Sequence, residues 1–317
     1  MKTTALCLLA ACGGGPAAMP VGQRLGPALG AAFAAADRLR TPWRCGAPDG
    51  PSLTDETVGG WKLSAHTLHK DGSGDVVIAA VADAGGDAPA TIAALGRLRP
   101  KLAKVDLVLA LGGMGATQPE LEATLGALAD KAPYAVVALP GDLESASALA
   151  GAIAALRAKG ELVVDGRLAQ RIELPGATIA TIAGAGATGR LVAGGDGCAY
   201  RAADVPPVLA DLTARAGIRI LATAEAPRIT VDGEASGELA LTSTEPRVAE
   251  IDIALHGPIE ATATRARTGS RDGEATPLSP GTVDATARLP GPAHASSAGL
   301  LVVHGDTWSW KPIADAE

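Results

Sequence analysis

Between Asp75 and Gly160 the chain repeats one unit three times, and this repeat limits its possible folds more than any other feature. Three apolar runs, "DVVIAAVAD" at 75–83, "VDLVLALGG" at 105–113 and "YAVVALPGD" at 134–142, each end in a polar or glycine-rich turn. Unbroken apolar runs of this length are the pattern of strands covered on both faces. Each is followed by apolar residues at helical spacing, in "APATIAALGRLRPKLAK", "PELEATLGALADKA" and "SASALAGAIAALRAKG", the last closed by Gly160. Repeated strand–helix units predict a mainly parallel sheet covered by helices, with function gathered at the carboxyl ends of the strands.

From Glu161 the pattern changes. "ELVVDGRLAQRIELPGATIATIAG" has short β segments with turn signals at Asp165-Gly166 and Pro175-Gly176, which predicts a second, more antiparallel sheet. A helix near Val208 to Ala216, a strand in "IRILATAEAP" and the segment "AEIDIALHGPIEATATRAR" follow. Residues 268–298, rich in Gly, Pro, Ser and Thr, are expected to wrap the surface. "GLLVVHGDTWSW" predicts a hairpin turning at Gly305-Asp306, with Trp308 and Trp310 on one strand face, in the core or covering an edge. The 317 residues suit one large domain, and with aromatics at only 2% its core must be made of Val, Ile, Leu and Ala. A net charge of −7 without any Lys/Arg run excludes a nucleic-acid partner.

At the N-terminus Met1-Lys2 supplies positive charge, Ala5 to Ala11 is apolar, and Leu9-Ala10-Ala11 places small residues directly before Cys12. The apolar run is far shorter than the roughly 20 residues a membrane span needs. This start resembles the lipobox of a bacterial lipoprotein signal peptide. The resemblance implies that residues 1–12 are the signal, that Cys12 carries lipid, and that the chain is exported and anchored to the cell envelope, in the periplasm or at the surface. The expected organisation is then a tether and extension over 13–55 and one domain over 56–317. With Cys7 lost in the signal, Cys45 and Cys198 remain; an oxidising compartment favours one disulfide over two buried thiols, and without a companion CxxC they do not form a metal site.

The strand-end turns at Asp83, Gly112-Gly113, Gly141-Asp142, Thr223-Ala224 and Gly257-Pro258-Ile259-Glu260 resemble, in order and spacing, those of the calcineurin-like metallophosphoesterases over Val76 to Glu260. The resemblance implies an α/β fold, an αββα sandwich of two mixed β-sheets flanked by helices. Family members hold two metal ions, about 4 Å apart, that activate water and neutralise phosphate. Carried over position by position, Asp83 stands at the first aspartate but Gly85 replaces the histidine, and Gly113 replaces the bridging aspartate. Asp142 takes the asparagine position, Leu143 the catalytic histidine position and Glu144 the acidic position after it. Ala224 falls at a histidine ligand, and Pro258 and Glu260 replace the last two histidines.

Gly, Ala, Leu and Pro side chains offer a metal nothing, so no metal cofactor is expected. The expected function is a non-catalytic binding or scaffolding role at the envelope, with a partner protein or ligand the sequence does not name. One alternative is an active phosphohydrolase with an altered site using Asp83, Asp142, Glu144 and His256, which alone would call for a divalent metal pair or a single metal. The other is a purely structural envelope lipoprotein. Asp83, Asp142, Glu144, Glu225, His256 and Glu260 are the side chains that would have to converge to hold Mg²⁺, Ca²⁺ or a transition metal; solvated or hydrogen-bonded loop roles are the simpler reading, and Asp83 would then cap the following helix. "GAGATG" at 184–189 matches GxGxxG after an apolar strand but runs into "RLVAGGDG" rather than a helix, so a glycine-rich turn is expected there. His66 and His69 would point to opposite faces of a short strand, which favours a structural pair over a metal site. His294 and His304 lack the acidic or serine partners of nucleophilic catalysis.

Overall fold

The computed structural model describes residues 42–45, 50–225, 229–231, 234–236, 251–257, 266–272, 275–283 and 297–314. The expected signal peptide, Cys12 and most of the tether lie outside the described residues, as do Pro258, Glu260 and His294.

In chain order the strands and helices are β1 (Trp43–Arg44), β2 (Leu53–Val58), β3 (Trp61–Ala65), β4 (Thr67–Lys70), β5 (Val76–Val81), α1 (Pro89–Leu98), β6 (Leu107–Leu111), α2 (Gln118–Ala129), β7 (Ala135–Leu139), α3 (Ala146–Ala158) and β8 (Val163–Asp165). There follow β9 (Arg171–Leu174), β10 (Ala177–Ile182), β11 (Cys198–Ala199), α4 (Val205–Thr213), β12 (Ile218–Thr223), β13 (Ile229–Val231), β14 (Glu234–Ser236), β15 (Ile253–His256), β16 (Arg267–Ser270), β17 (Thr276–Leu278), β18 (Ala298–His304) and β19 (Thr307–Ile313).

Two large mixed sheets face each other. The first has the order β16-β19-β18-β5-β6-β7-β8 and the second β17-β15-β12-β10-β9-β4-β3-β2. Strands β5 to β8 run parallel, as the repeat predicts, and β18, β19 and β16 extend that sheet antiparallel. In the second sheet β10, β12, β15 and β17 are parallel to one another, and β9-β10, β3-β4 and β2-β3 are antiparallel.

Alternation along each strand distributes its side chains between two cores. Leu107, Leu109 and Leu111 of β6 meet Ile179, Ile220 and Leu255 of the opposite sheet, together with Trp61, Trp308 and Trp310. Val108 and Ala110 turn the other way and pack under Leu95 of α1, Leu121 and Leu125 of α2 and Leu149 of α3. On the far side, Leu209 and Leu212 of α4 cover Ala180, Ile182 and Leu221. The result is an αββα sandwich of two mixed sheets, and residues buried on both faces explain why the strands read as unbroken apolar runs. The helix starts are written locally. Thr117 and Glu120 form a reciprocal capping box on α2, and the Ser145 hydroxyl accepts from Ala148 N at 3.1 Å on α3.

Some expectations are revised. Val163–Asp165 does not start the second sheet; it pairs with β7 and completes the first, because α3 returns the chain beside β7. The 268–298 segment is not only a surface wrap. Within it β17 joins β15 in the second sheet, most of β16 lies on the edge of the first, and Ser279 and Thr282 are buried. Strand β2 begins at Leu53, so residues before 56 already belong to the second sheet. Cys45 and Cys198 form a disulfide with Cα atoms 5.5 Å apart, fastening β1 beside β11.

Candidate functional site at the strand ends

The turns that follow β5, β6, β7, β12 and β15 meet between the two sheets, and they meet backbone to backbone. A Cβ on Gly113 would lie 2.7 Å from Asp83 Cα, and one on Gly112 would lie 2.9 Å from Ala224 Cβ. A Cβ on Gly257 would lie 2.3 Å from Ala224 O and 3.1 Å from Leu111 O. Asp83 N donates to Gly112 O at 2.9 Å and Gly85 N to Gly113 O at 2.8 Å, which knits the first two turns together. Gly113, at φ +69°, combines a left-handed backbone with this close approach, and no side chain fits there.

The candidate side chains share this floor but have separate partners. Asp83, half-buried at φ +53°, accepts from the Thr282 hydroxyl at 2.8 Å through Oδ2, and its carbonyl accepts from the same hydroxyl at 2.9 Å. It does not cap a helix: the N-cap of α1 is Ala88, five residues further on. Glu144 is fully buried, and its carboxyl oxygens accept from Met114 N at 2.7 Å and Gly141 N at 2.8 Å, so it ties the β6 and β7 turns together. Burial pushes its pKa up to about 7, against the pull of these two backbone donors. Leu143 beside it is half-buried.

Asp142 and Glu225 answer to a different loop. Arg190 Nη2 lies 3.1 Å from Asp142 Oδ2, and its Nη1 lies 3.9 Å from Glu225 Oε1, an atom with no hydrogen bond among the described residues. Glu225 Oε2 accepts from the Tyr200 hydroxyl at 2.5 Å and from Gly186 N at 3.0 Å. His256 ends β15 with no exposed surface; its Nδ1 is 2.6 Å from Gly257 O, and among the described residues its Nε2 has no hydrogen-bond partner. Burial holds its pKa down at about 4, so the ring is neutral. Among the described residues no three His, Cys, Asp or Glu side chains come together closely enough to hold a metal ion.

The other candidate motifs resolve into structure. "GAGATG" is a turn between β10 and β11, with a short 3₁₀ turn at Thr188–Arg190 in place of the helix a dinucleotide site requires. His66 Nδ1 lies 3.3 Å from Leu168 O. His69 lies between Asp71 at 2.8 Å and Glu173 at 3.2 Å, and the hydrogen bond to Asp71 raises its pKa, opposed by partial burial and aided by Glu173. His304 is exposed and paired with Asp75.

Arg190, Tyr200 and Thr282 escaped the sequence reading. Arg190 was legible only as the end of a glycine turn and Thr282 as part of an expected surface wrap. Tyr200 carried a usable signal, being one of two tyrosines in a chain with few aromatics.

No family model matches the chain, and no curated protein matches it. Among solved structures it is similar to TT1561 of Thermus thermophilus, at 11% identity and TM-score 0.44, covering 74% of this chain and 97% of that one. It is similar to GAP50, the anchor in the inner membrane complex of Plasmodium, at 10% identity and TM-score 0.45, covering 77% and 86%. It is also similar to the purple acid phosphatase PPD1 from yellow lupin (Lupinus luteus) seeds, at 11% identity and TM-score 0.46, covering 75% of this chain and 52% of that one. Likenesses of this degree leave the functional reading to the side chains of the chain itself.

Proposed function

We propose that this chain is a non-catalytic binding or scaffolding protein of the bacterial envelope, built on a metallophosphoesterase-like frame that has given up its two-metal centre. The observation that carries this reading is the closure of the strand ends, where backbone stands in contact at Gly112, Gly113, Gly141, Ala224 and Gly257. The residues there do not fit the metal pair of the resembled family. The bridging position is a glycine with no room for a side chain, and Glu144 spends both oxygens on backbone N–H groups. Asp83 faces Thr282, and Asp142 and Glu225 face Arg190 and Tyr200. Glu144 joins the β6 and β7 turns through its two backbone bonds.

Export and lipid anchoring belong to the same proposal. They are supported by the Leu9-to-Cys12 pattern and by the Cys45–Cys198 disulfide, a bond that persists in oxidising compartments. Two experiments separate the parts. With bis-p-nitrophenyl phosphate and added Mn²⁺, Fe²⁺ or Zn²⁺, the expected result is no hydrolysis above a protein-free control. Steady metal-dependent turnover lost on Asp83→Ala would replace this reading with that of a working phosphohydrolase. In bacterial cells fed labelled palmitate, label should enter the protein and vanish on Cys12→Ala; an unlabelled protein removes the anchor from the proposal.

A further inference from the structure

Away from the strand-end floor, the first turns of α3 border a concavity of about 420 Å³. That volume lies within the range of about 300–1,000 Å³ typical of small-molecule sites. Glu144, just ahead of α3, belongs to the floor, whereas Ala146, Ser147 and Ala150 line this pocket. Its mouth carries Trp43. The other three tryptophans are 1%, 4% and 2% exposed, at Trp61, Trp308 and Trp310, while Trp43 is 57% exposed.

That exposed indole is held. Its Nε1 donates to Asp196 at 3.0 Å, its backbone N donates to Gly197 O at 2.9 Å, and Cys45 two residues on is bonded to Cys198. An aromatic face fixed at both ring and backbone loses little freedom on binding, which is the condition for a stacking platform. The polar wall is prepared in the same way. Arg167 and Asp165, 13% and 8% exposed, are paired through Nε and Nη2, with Nε–Oδ1 at 2.9 Å and Nη2–Oδ2 at 2.5 Å. This geometry fixes the guanidinium, which lines the pocket beside Asp165, and among the described residues its Nη1 makes no hydrogen bond.

We propose that this pocket binds a flat aromatic small molecule bearing a carboxylate or comparable acceptor, its ring on Trp43 and its acceptor on Arg167. The site shares no side chain with the strand-end floor, and its occupancy is independent of whether that floor holds metal.

The test is a titration of the purified protein with naphthalene-2-carboxylate and with 8-anilinonaphthalene-1-sulfonate, followed by calorimetry and fluorescence. One saturable site per chain is expected, weakened at least tenfold by Trp43→Ala and abolished by Ala150→Phe. Ala150 is exposed on α3, so the phenylalanine should fill the pocket without disturbing the core, which unchanged thermal unfolding would verify. Naphthalene-2-methanol, without the charged acceptor, should bind at least fivefold more weakly than the carboxylate. No saturable binding by either acid, or binding unaffected by both substitutions, overturns the proposal; equal binding of alcohol and acid overturns the role of Arg167.

Discussion

Two buried titratable groups on the strand-end floor make opposite demands on pH. Glu144 has its pKa raised from 4.5 to about 7, so between those values the folded chain holds a proton that the unfolded chain has released. Its contribution to stability is therefore full below pH 4.5 and is lost as pH rises through 7. His256 has its pKa lowered from 6.5 to about 4; between these values the unfolded chain holds the extra proton. Its contribution is full above pH 6.5 and is lost as pH falls through 4. Each amounts to about 3 kcal/mol, at 1.36 kcal/mol per pKa unit, and over pH 4.5–6.5 their slopes cancel. Urea unfolding of the Glu144→Gln variant should therefore show stability climbing across pH 4.5–6.5 where the parent stays flat. A variant as flat as the parent would contradict the burial of one group or the other. A second residue-scale prediction concerns Gly113, which stands where the resembled family has a bridging aspartate. Gly113→Asp places a Cβ 2.7 Å from Asp83 Cα at a left-handed backbone position. It should cost about 2 kcal/mol or more and recruit no metal, as thermal unfolding with and without Mn²⁺ would show.

At the scale of elements, the β18–β19 hairpin and the β1 strap bear on stability in different ways. Trp310 on β19 is 2% exposed in the core between the sheets, and a Cβ on Gly299 of β18 would fall 2.0 Å from its indole ring. Trp310→Ala should cost about 3–5 kcal/mol in chemical unfolding, and Gly299→Ala should displace the ring and shift the tryptophan emission to the red. The strap acts on the unfolded chain. Closing a loop between residues 153 positions apart contributes at most about 5 kcal/mol by chain entropy, so the Cys45→Ser, Cys198→Ser double variant should unfold at lower denaturant than the parent. An unchanged midpoint would mean that β1 and β11 are held together without the bond.

How far these elements were legible follows from their environment. Strands β5, β6 and β7 with α1 to α3 stand almost where the apolar runs predict, because burial on both faces writes a strand in unbroken Val, Ile, Leu and Ala. Strand β17 could not be read in a Gly- and Pro-rich stretch, since β15, a distant strand, makes it a strand. The site was half legible in the same way. Asp83, Asp142, Glu144 and Glu225 sit at turns the periodicity located, but their partners Thr282, Arg190 and Tyr200 arrive from loops far away in sequence. A local pattern shows which carboxylates reach the strand ends; it does not show which hydrogen bonds and ion pairs already engage them there.

For the whole molecule, two sheets share a core of aliphatic side chains and three tryptophans, and the strand ends that carry the candidate residues are closed by glycine backbone and one buried carboxyl. Such a frame brings five strand ends together, and the candidate side chains there are engaged in hydrogen bonds and one ion pair. The pocket beside α3 is then the surface proposed for recognition. The decisive measurement is the metal content of the purified protein after incubation with Mn²⁺, Fe²⁺ and Zn²⁺ and desalting. The closed floor predicts no stoichiometric metal. Two ions per chain, lost together on Asp83→Ala, would mean that the strand ends open to form a metal centre, and would contradict the loss of that centre proposed for this chain.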